Sequence, residues 1–416
     1  MVIHNGKLFF RGIHVLILSQ YFFPELISTG QLLTELAEDL VDLSCSVTVV
    51  AGQPTYYESS RVPPEMEHRG IKILRVGNTQ LGKNSIPGKI LNSTTFFLGT
   101  VRKSLTLPRD TVVLVVTNPP ILPFVPYLLS FLRKQKYICL IHDVYPDIAV
   151  RLGYLRKNGV LSGLWERMNQ RMMHGAAAVI VLGRDMEEKI REKLDHSEWG
   201  KIRLIPNWSD EDAIRPIEKG ENPFLQEIGL SPSTFIVQYS GNMGLSHDME
   251  AIVEAANRLQ DIPVRFLFIG GGGKREKIGR LVADLGLKNV QFLPYQPKEK
   301  LRYSLACSDV SLVCLQEGVE GLSVPSKYYG ILASGRPVIA LMAERSEVAM
   351  SVRESGCGYV VPPSDPAALA ERIRYLFDHP DAVREMGKKA RESLVRNYSR
   401  RVVAGKYLDL LREVSA

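Results

Sequence analysis

Short apolar runs alternate with longer amphipathic stretches along most of this chain. Ile13–Leu18, Ser46–Ala51, Ile71–Val76, Thr111–Thr117, Tyr137–Ile141, Val179–Leu182 and Ile202–Ile205 are rich in branched aliphatic residues, as parallel strands buried on both faces should be. After the first run, Gln31–Leu43 places apolar side chains at Leu32, Leu33, Leu36, Ala37 and Leu40, the spacing of a helix with one buried face. A second series follows: Phe235–Tyr239, Val264–Ile269, Val290–Leu293, Val310–Leu315, Val338–Leu341 and Gly358–Val361, with helical patterns at Met249–Leu259, Pro366–His379 and Pro380–Asn397. Between the two series, Ser209–Pro223 is polar and carries Pro216, Gly220 and Pro223, as a domain linker would. The pattern predicts an α/β protein of two doubly wound halves whose loops face a cleft. We expect domains at 1–212 and 213–397, with residues 398–416 forming a last helix that crosses back to the first domain.

Composition narrows the partners. A chain of 416 residues exceeds one ordinary core. A net charge of +7 suits acidic partners such as phosphates or an anionic surface. The basic residues are dispersed and no aromatic-lined recognition motif accompanies them, which disfavours nucleic acid. Cys45, Cys139, Cys307, Cys314 and Cys357 form no C-x-x-C pair, so buried free thiols in a reducing cytosol are expected rather than a metal or redox motif. His14 interrupts the first apolar run and no cleavage site follows it, so a strand is expected there, not a signal peptide. The longest apolar stretch, Pro119–Leu132, is too short to span a bilayer. That stretch runs into Arg133-Lys134-Gln135-Lys136, and Ile86–Leu107 also mixes apolar residues with Arg102 and Lys103. Two readings fit both stretches: core helices with solvated basic ends, or a shallow peripheral contact with an anionic membrane.

In doubly wound sheets, ligands bind outside the carboxyl ends of the strands. The residues at those ends are therefore the candidate site. They include Thr29-Gly30, His142-Asp143-Val144-Tyr145-Pro146-Asp147, Arg184, Gly241-Asn242 with His247, Gly271-Gly272 with Lys274, and Tyr295. The stretch Glu317–Pro337 is the most informative. Ser323 and Pro325 predict a helix start, and Gly335 with Pro337 predicts its stop. Lys327 falls in the first turn, where the helix dipole disfavours a cation. An anion shared between the lysine and the free N–H groups would resolve that conflict, and a phosphate or diphosphate fits. A solvated surface lysine is the alternative.

Four pieces, in order, carry a resemblance: Pro24-Glu25 to Thr29-Gly30; Ile205-Pro206-Asn207-Trp208; Tyr239-Ser240-Gly241-Asn242; and Val324-Pro325-Ser326-Lys327 to Ala333-Ser334-Gly335-Arg336-Pro337. Together the chain resembles the retaining glycosyltransferases of family 4, with the GT-B fold of two Rossmann-like domains. His142–Asp147 and Gly241–Leu245 look most like the subgroup that builds bacterial surface polysaccharides. The resemblance implies a nucleotide-diphosphate sugar as donor, a lipid-linked or glycan acceptor, and no cofactor or metal. It places the donor on the C-terminal domain and the acceptor on the N-terminal one, in the cytoplasm or at the inner face of the cytoplasmic membrane. It implies His142, Asp143 and Lys327 as catalytic residues. Donor binding falls to Gly30, Arg184, Gly241, Asn242, His247, Gly271, Gly272, Lys274, Tyr295, Glu320, Ser323, Val324, Ser326 and Lys327, and acceptor binding to Thr29, Tyr145 and Asp147. Two departures from the family pattern stand out. Gly330 occupies the place of a ribose-binding glutamate, and Asn242 the place of an arginine. They motivate two alternatives: a GT-B enzyme with a soluble acceptor, and a non-catalytic relative serving assembly.

Overall fold

The computed structural model describes residues 2–4, 7–9, 12–25, 27–54, 62–77, 79 and 86–416. A hairpin pairs β1 (Val2–His4) with β2 (Lys7–Phe9). The first sheet contains β3 (His14–Ser19), β4 (Ser46–Gly52), β5 (Glu65–His68), β6 (Ile71–Val76), β7 (Val112–Val116), β8 (Tyr137–Leu140), β9 (Ala178–Val181) and β10 (Ile202–Leu204). Its order is β10-β9-β8-β7-β3-β4-β6-β5, parallel throughout except for the edge strand β5. The second sheet contains β11 (Phe235–Ser240), β12 (Val264–Ile269), β13 (Val290–Leu293), β14 (Val310–Cys314), β15 (Val338–Leu341) and β16 (Gly358–Val361). Its order is β13-β12-β11-β14-β15-β16, all parallel.

The branched apolar runs fill the interior. Every residue of β7, β8, β9, β14 and β15 is buried, the condition under which a parallel strand reads as a continuous apolar run. Strand order reverses on the two sides of β3 and of β11, so each sheet has a switch point where a crevice opens. The loops after β3, β7, β11 and β14 flank those points.

The half-exposed β5 had no apolar signature to announce it, whereas the hairpin β1–β2 has one that long-run periodicity misses, Asn5-Gly6 between Val2-Ile3 and Leu8-Phe9. The helix Lys327–Ala333 starts two residues later than Pro325 suggests and spans seven residues. Pro380–Ser393 is followed by a π-helical turn, Leu394–Tyr398, rather than by more α-helix. The last helix, Arg400–Ser415, packs on helix Ser28–Asp42. Arg400 donates to both oxygens of Asp39 at 2.8 Å and to Glu38 at 2.8 Å. Burial pushes the Asp39 carboxyl up to about 6 against the pull of this guanidinium. In the two apolar–basic stretches the side chains divide. Phe96, Leu122, Val125 and Leu129 are core, whereas Ile90, Leu98, Phe131 and Leu132 face outward. All five cysteines are buried free thiols.

Candidate active site

The wall built by the second sheet consists of two glycine loops and one lysine. Gly241 leaves β11 at φ +125°, and Gly270 and Gly272 leave β12 at φ +126° and +131°, a region that side chains with a Cβ avoid. Space excludes a side chain as well. A Cβ at position 270 would lie 2.3 Å from the Gly241 carbonyl oxygen, and one at 272 would lie 2.3 Å from Asn242 Oδ1. Met243 N–H donates to the Gly271 carbonyl (2.6 Å) and Lys274 N–H to the Met243 carbonyl (2.9 Å), so the two loops form one surface. His247 Nδ1 accepts from Gly244 N–H at 3.0 Å. Burial, reinforced by the nearby Lys327 charge, holds this imidazole neutral. The exposed Tyr295 ring borders Gly270 and Gly271.

Lys327 is the first residue of its helix and reaches beneath Gly241, its Cε 3.3 Å from where a Cβ would stand. The ammonium lies 3.7 Å from the centroid of the Tyr239 ring. It is buried and has no hydrogen-bond acceptor. Cation–π attraction offsets part of the desolvation cost, but burial still pulls the pKa down to about 8. An unpaired buried ammonium is a costly arrangement unless an anion is to arrive. With only seven residues in the helix, the side-chain charge rather than the helix dipole is the main attraction. Glu320 is nearly buried. Arg345 binds one carboxylate oxygen and the other is buried without a partner. Burial opposes ionisation there, yet the Arg345 contact holds the carboxyl below its usual range.

Two other cations assigned to the donor are already committed. Lys274 donates to Glu250 Oε2 and to the His247 carbonyl, both at 2.7 Å. Arg184 donates to Glu347 (2.9 and 3.1 Å) and to Glu354 across the domain boundary. Lys274 therefore braces the glycine loops and Arg184 braces the two domains.

The facing wall comes from the first sheet. His142 follows β8, and its backbone N–H donates to Thr117 Oγ1 at 3.0 Å. Burial pulls its imidazole down to about 4, so the ring is neutral at pH 7. Asp143 pairs through its backbone with Ser323, and Val144 N–H donates to the Leu322 carbonyl at 2.9 Å. Burial pushes the Asp143 carboxyl up, opposed by a hydrogen bond from Ser323. Ser28 and Ser326 meet through their hydroxyls at 2.8 Å, beside Thr29 and Gly30. Asp185 accepts from Gly321 N–H at 2.8 Å, and Arg151 binds the Glu317 carbonyl at 2.9 Å. The segment Glu317–Ser326 is thus sewn to the first domain at five places, and Val324 is buried within it. The structure brings His142, Asp143, Ser323, Ser326, Lys327 and Gly241 to one seam.

Tyr145 and Asp147 turn away from that seam. The Tyr145 ring stacks on Trp165 (5.5 Å, 5°), and Asp147 pairs with Lys193 at 2.6 Å. Sequence reasoning passed over Ser28, Thr117, Asp185 and Arg345. Thr117, Asp185 and Arg345 follow the carboxyl ends of β7, β9 and β15 and obey the same rule as His142, while Ser28 opens helix Ser28–Asp42 and has no such signal. A polar cavity of about 240 Å³ lies behind the lysine's helix, lined by Ser351, Lys389 and Tyr398 among others, and includes none of the site residues. Among the described residues, one group has metal-ligand spacing, His174 with Asp195 and Glu198. It lies at the amino end of β9, away from the seam, and Lys201 already binds Glu198 at 2.7 Å.

Two doubly wound domains whose switch-point loops meet around a buried, unpaired lysine have the GT-B fold. The chain is matched by the glycosyl transferase 4-like domain over residues 29–208 and by glycosyl transferases group 1 over residues 222–393. It belongs to this family. It is 30% identical over 316 residues to WbjE of Pseudomonas aeruginosa, described as a glycosyltransferase, covering 76% of this chain and 78% of that one. It is 28% identical over 280 residues to WcaI of Escherichia coli, assigned to colanic acid biosynthesis as a glycosyl transferase, covering 65% and 68%. HepE of Anabaena, solved with UDP and glucose, shares the fold with a TM-score of 0.74 at 15% identity over 96% of this chain and 100% of that one. The protein is a sugar transferase, and relatives such as WcaI serve bacterial surface-glycan synthesis.

Proposed function

We propose that the protein moves a sugar from a nucleotide-diphosphate donor to a lipid-linked acceptor at the cytoplasmic membrane face, with retention at the anomeric carbon and without a metal. The unpaired, buried Lys327 ammonium carries this reading. Charge grows on the diphosphate as the anomeric C–O bond breaks, and a preorganised cation in a dry seam stabilises that growth more than it stabilises the ground state. Ser326 and the Gly241–Asn242 backbone lie where the phosphates would meet Lys327. Tyr295 offers a flat face to the base, and the free oxygen of Glu320 suits a donor hydroxyl. The acceptor oxygen bonds to the anomeric carbon as the diphosphate leaves, and its proton passes to a phosphate oxygen. Neutral His142 borders the transferred sugar beside Asp143 and orients it without adding charge of its own. Binding of UDP and glucose by HepE supports a donor of this class.

The test is incubation with radiolabelled UDP-, GDP- and dTDP-sugars and bacterial membrane lipid, with anomeric configuration read by NMR. Transfer that keeps the donor's configuration and survives a chelator is expected. Neither transfer nor slow hydrolysis of any donor would overturn the reading. An inverted product would overturn retention, and chelator-sensitive activity restored by magnesium would overturn metal independence. Equal rates on a soluble sugar after lipid removal would replace the lipid-linked acceptor with a soluble one.

A further inference from the structure

One flank of the first sheet is covered by three helices whose outer surface is bare. Helix Phe124–Arg133 lies between helices Ile86–Ser104 and Val160–Gly175 and touches both. Their outward side chains include Ile90, Leu98, Phe131 (70% exposed), Leu132, Val160 (90%), Leu161 (70%) and Leu164 (54%). A patch of this extent has a partner in most soluble proteins.

The charge around the patch says which partner. Residues 86–171 hold twelve Lys and Arg against four Asp and Glu, leaving 40 against 41 for the rest of the chain. The whole net positive charge therefore resides in this flank. Arg102, Lys134, Arg156, Lys157, Arg167 and Arg171 are exposed, and none has a carboxylate partner among the described residues. Elsewhere the surface cations are largely paired. On helix Val160–Gly175 a single outward stripe runs Val160, Leu161, Leu164, Arg167, Arg171. Apolar side chains followed by unpaired cations are what an anionic bilayer interface accepts: the aliphatic tips enter below the headgroups and the arginines stay among the phosphates.

The opposite stripe of the same helix grips the site loop. Trp165 stacks on Tyr145, Asn169 Nδ2 donates to the Tyr145 carbonyl at 2.8 Å, and Lys193 bridges Glu166 (2.7 Å) to Asp147 (2.6 Å). Tyr145 and Asp147 lie three and five residues beyond His142. We infer that helix Val160–Gly175, with its two neighbours, is a docking face for an anionic phospholipid surface, and that through Tyr145 and Asp147 it holds the His142 loop at a fixed height above the bilayer. The role given to the loop rests on the lipid-linked acceptor proposed above; the docking itself does not.

Vesicle sedimentation tests this at low and high salt. The full chain is expected to sediment with phosphatidylglycerol–phosphatidylethanolamine vesicles and not with phosphatidylcholine, and added salt should release it. Leu161→Glu with Leu164→Glu should cut partition at least about tenfold. Arg156→Glu, Lys157→Glu, Arg167→Glu and Arg171→Glu together should also remove the salt dependence. In both variants slow donor hydrolysis in solution should match the parent, while transfer to acceptor embedded in vesicles falls. Failure of the parent to bind anionic vesicles at low salt would overturn the inference without touching the transfer reading. So would a parent dimer that the leucine substitutions dissolve, since the face would then be a subunit interface. Vesicle binding with no transfer on any donor would sustain docking and sink the proposed activity instead.

Discussion

The two walls of the seam differ in how their polar groups are satisfied. On the C-terminal wall, Lys327 keeps a charged nitrogen buried without an acceptor, and Glu320 keeps one oxygen likewise. On the N-terminal wall, His142 is neutral by burial, while Asp143 and Val144 are paired with the opposite domain. Unmet polarity marks where a ligand's charge belongs, because only that ligand repays the desolvation. Satisfied polarity marks where shape is fixed. The contrast assigns the diphosphate to one side and the geometry of the sugar to the other.

That contrast can be broken in three ways. Lys327→Ala should have the largest effect, about 100- to 1,000-fold in kcat, with nucleoside diphosphate binding weakened by about 1.5–3 kcal/mol in calorimetry. Unchanged affinity would remove the charge from the C-terminal wall. His142→Ala should lower kcat about tenfold, the scale of one lost hydrogen bond, with donor affinity held. A matching loss of affinity would mean that the walls do not divide the work. The pH response should be smallest. The ammonium form of Lys327 is lost as pH rises through about 8 in the free protein, so UDP affinity should be flat below that value and decline above it. The same group leaves the ligand-free fold gaining stability between about 8 and the ordinary lysine value of 10.5, because the unfolded chain binds the extra proton there. A flat affinity profile to pH 10 would place the ammonium outside the phosphate site.

The glycine loops and Lys327 were legible in the sequence because each breaks a local rule. A run of glycines at a strand end exposes backbone, and a cation at a helix start invites an anion. The fates of Arg184 and Lys274 were not legible. The partners of Arg184 are 163 and 170 residues away, and no local pattern tells a free cation from one that will meet a distant carboxylate. Helix Val160–Gly175 escaped notice for a different reason. Its inward stripe is Ser162, Asn169, Met172 and Met173, and its aliphatic residues point out, the reverse of the polarity that periodicity arguments assume. The strands were the easiest elements, since burial on both faces removes the polar alternation that would confuse them.

The packing of Arg400–Ser415 on Ser28–Asp42 links the far end of the chain to its beginning. During synthesis the first sheet emerges long before Arg400 does. Asp39 and Glu38 must therefore wait without their guanidinium while the whole second domain is translated, and the first domain stays unfinished over that interval. The face of helix Ser28–Asp42 that the last helix covers is therefore completed last, after the second domain has been made.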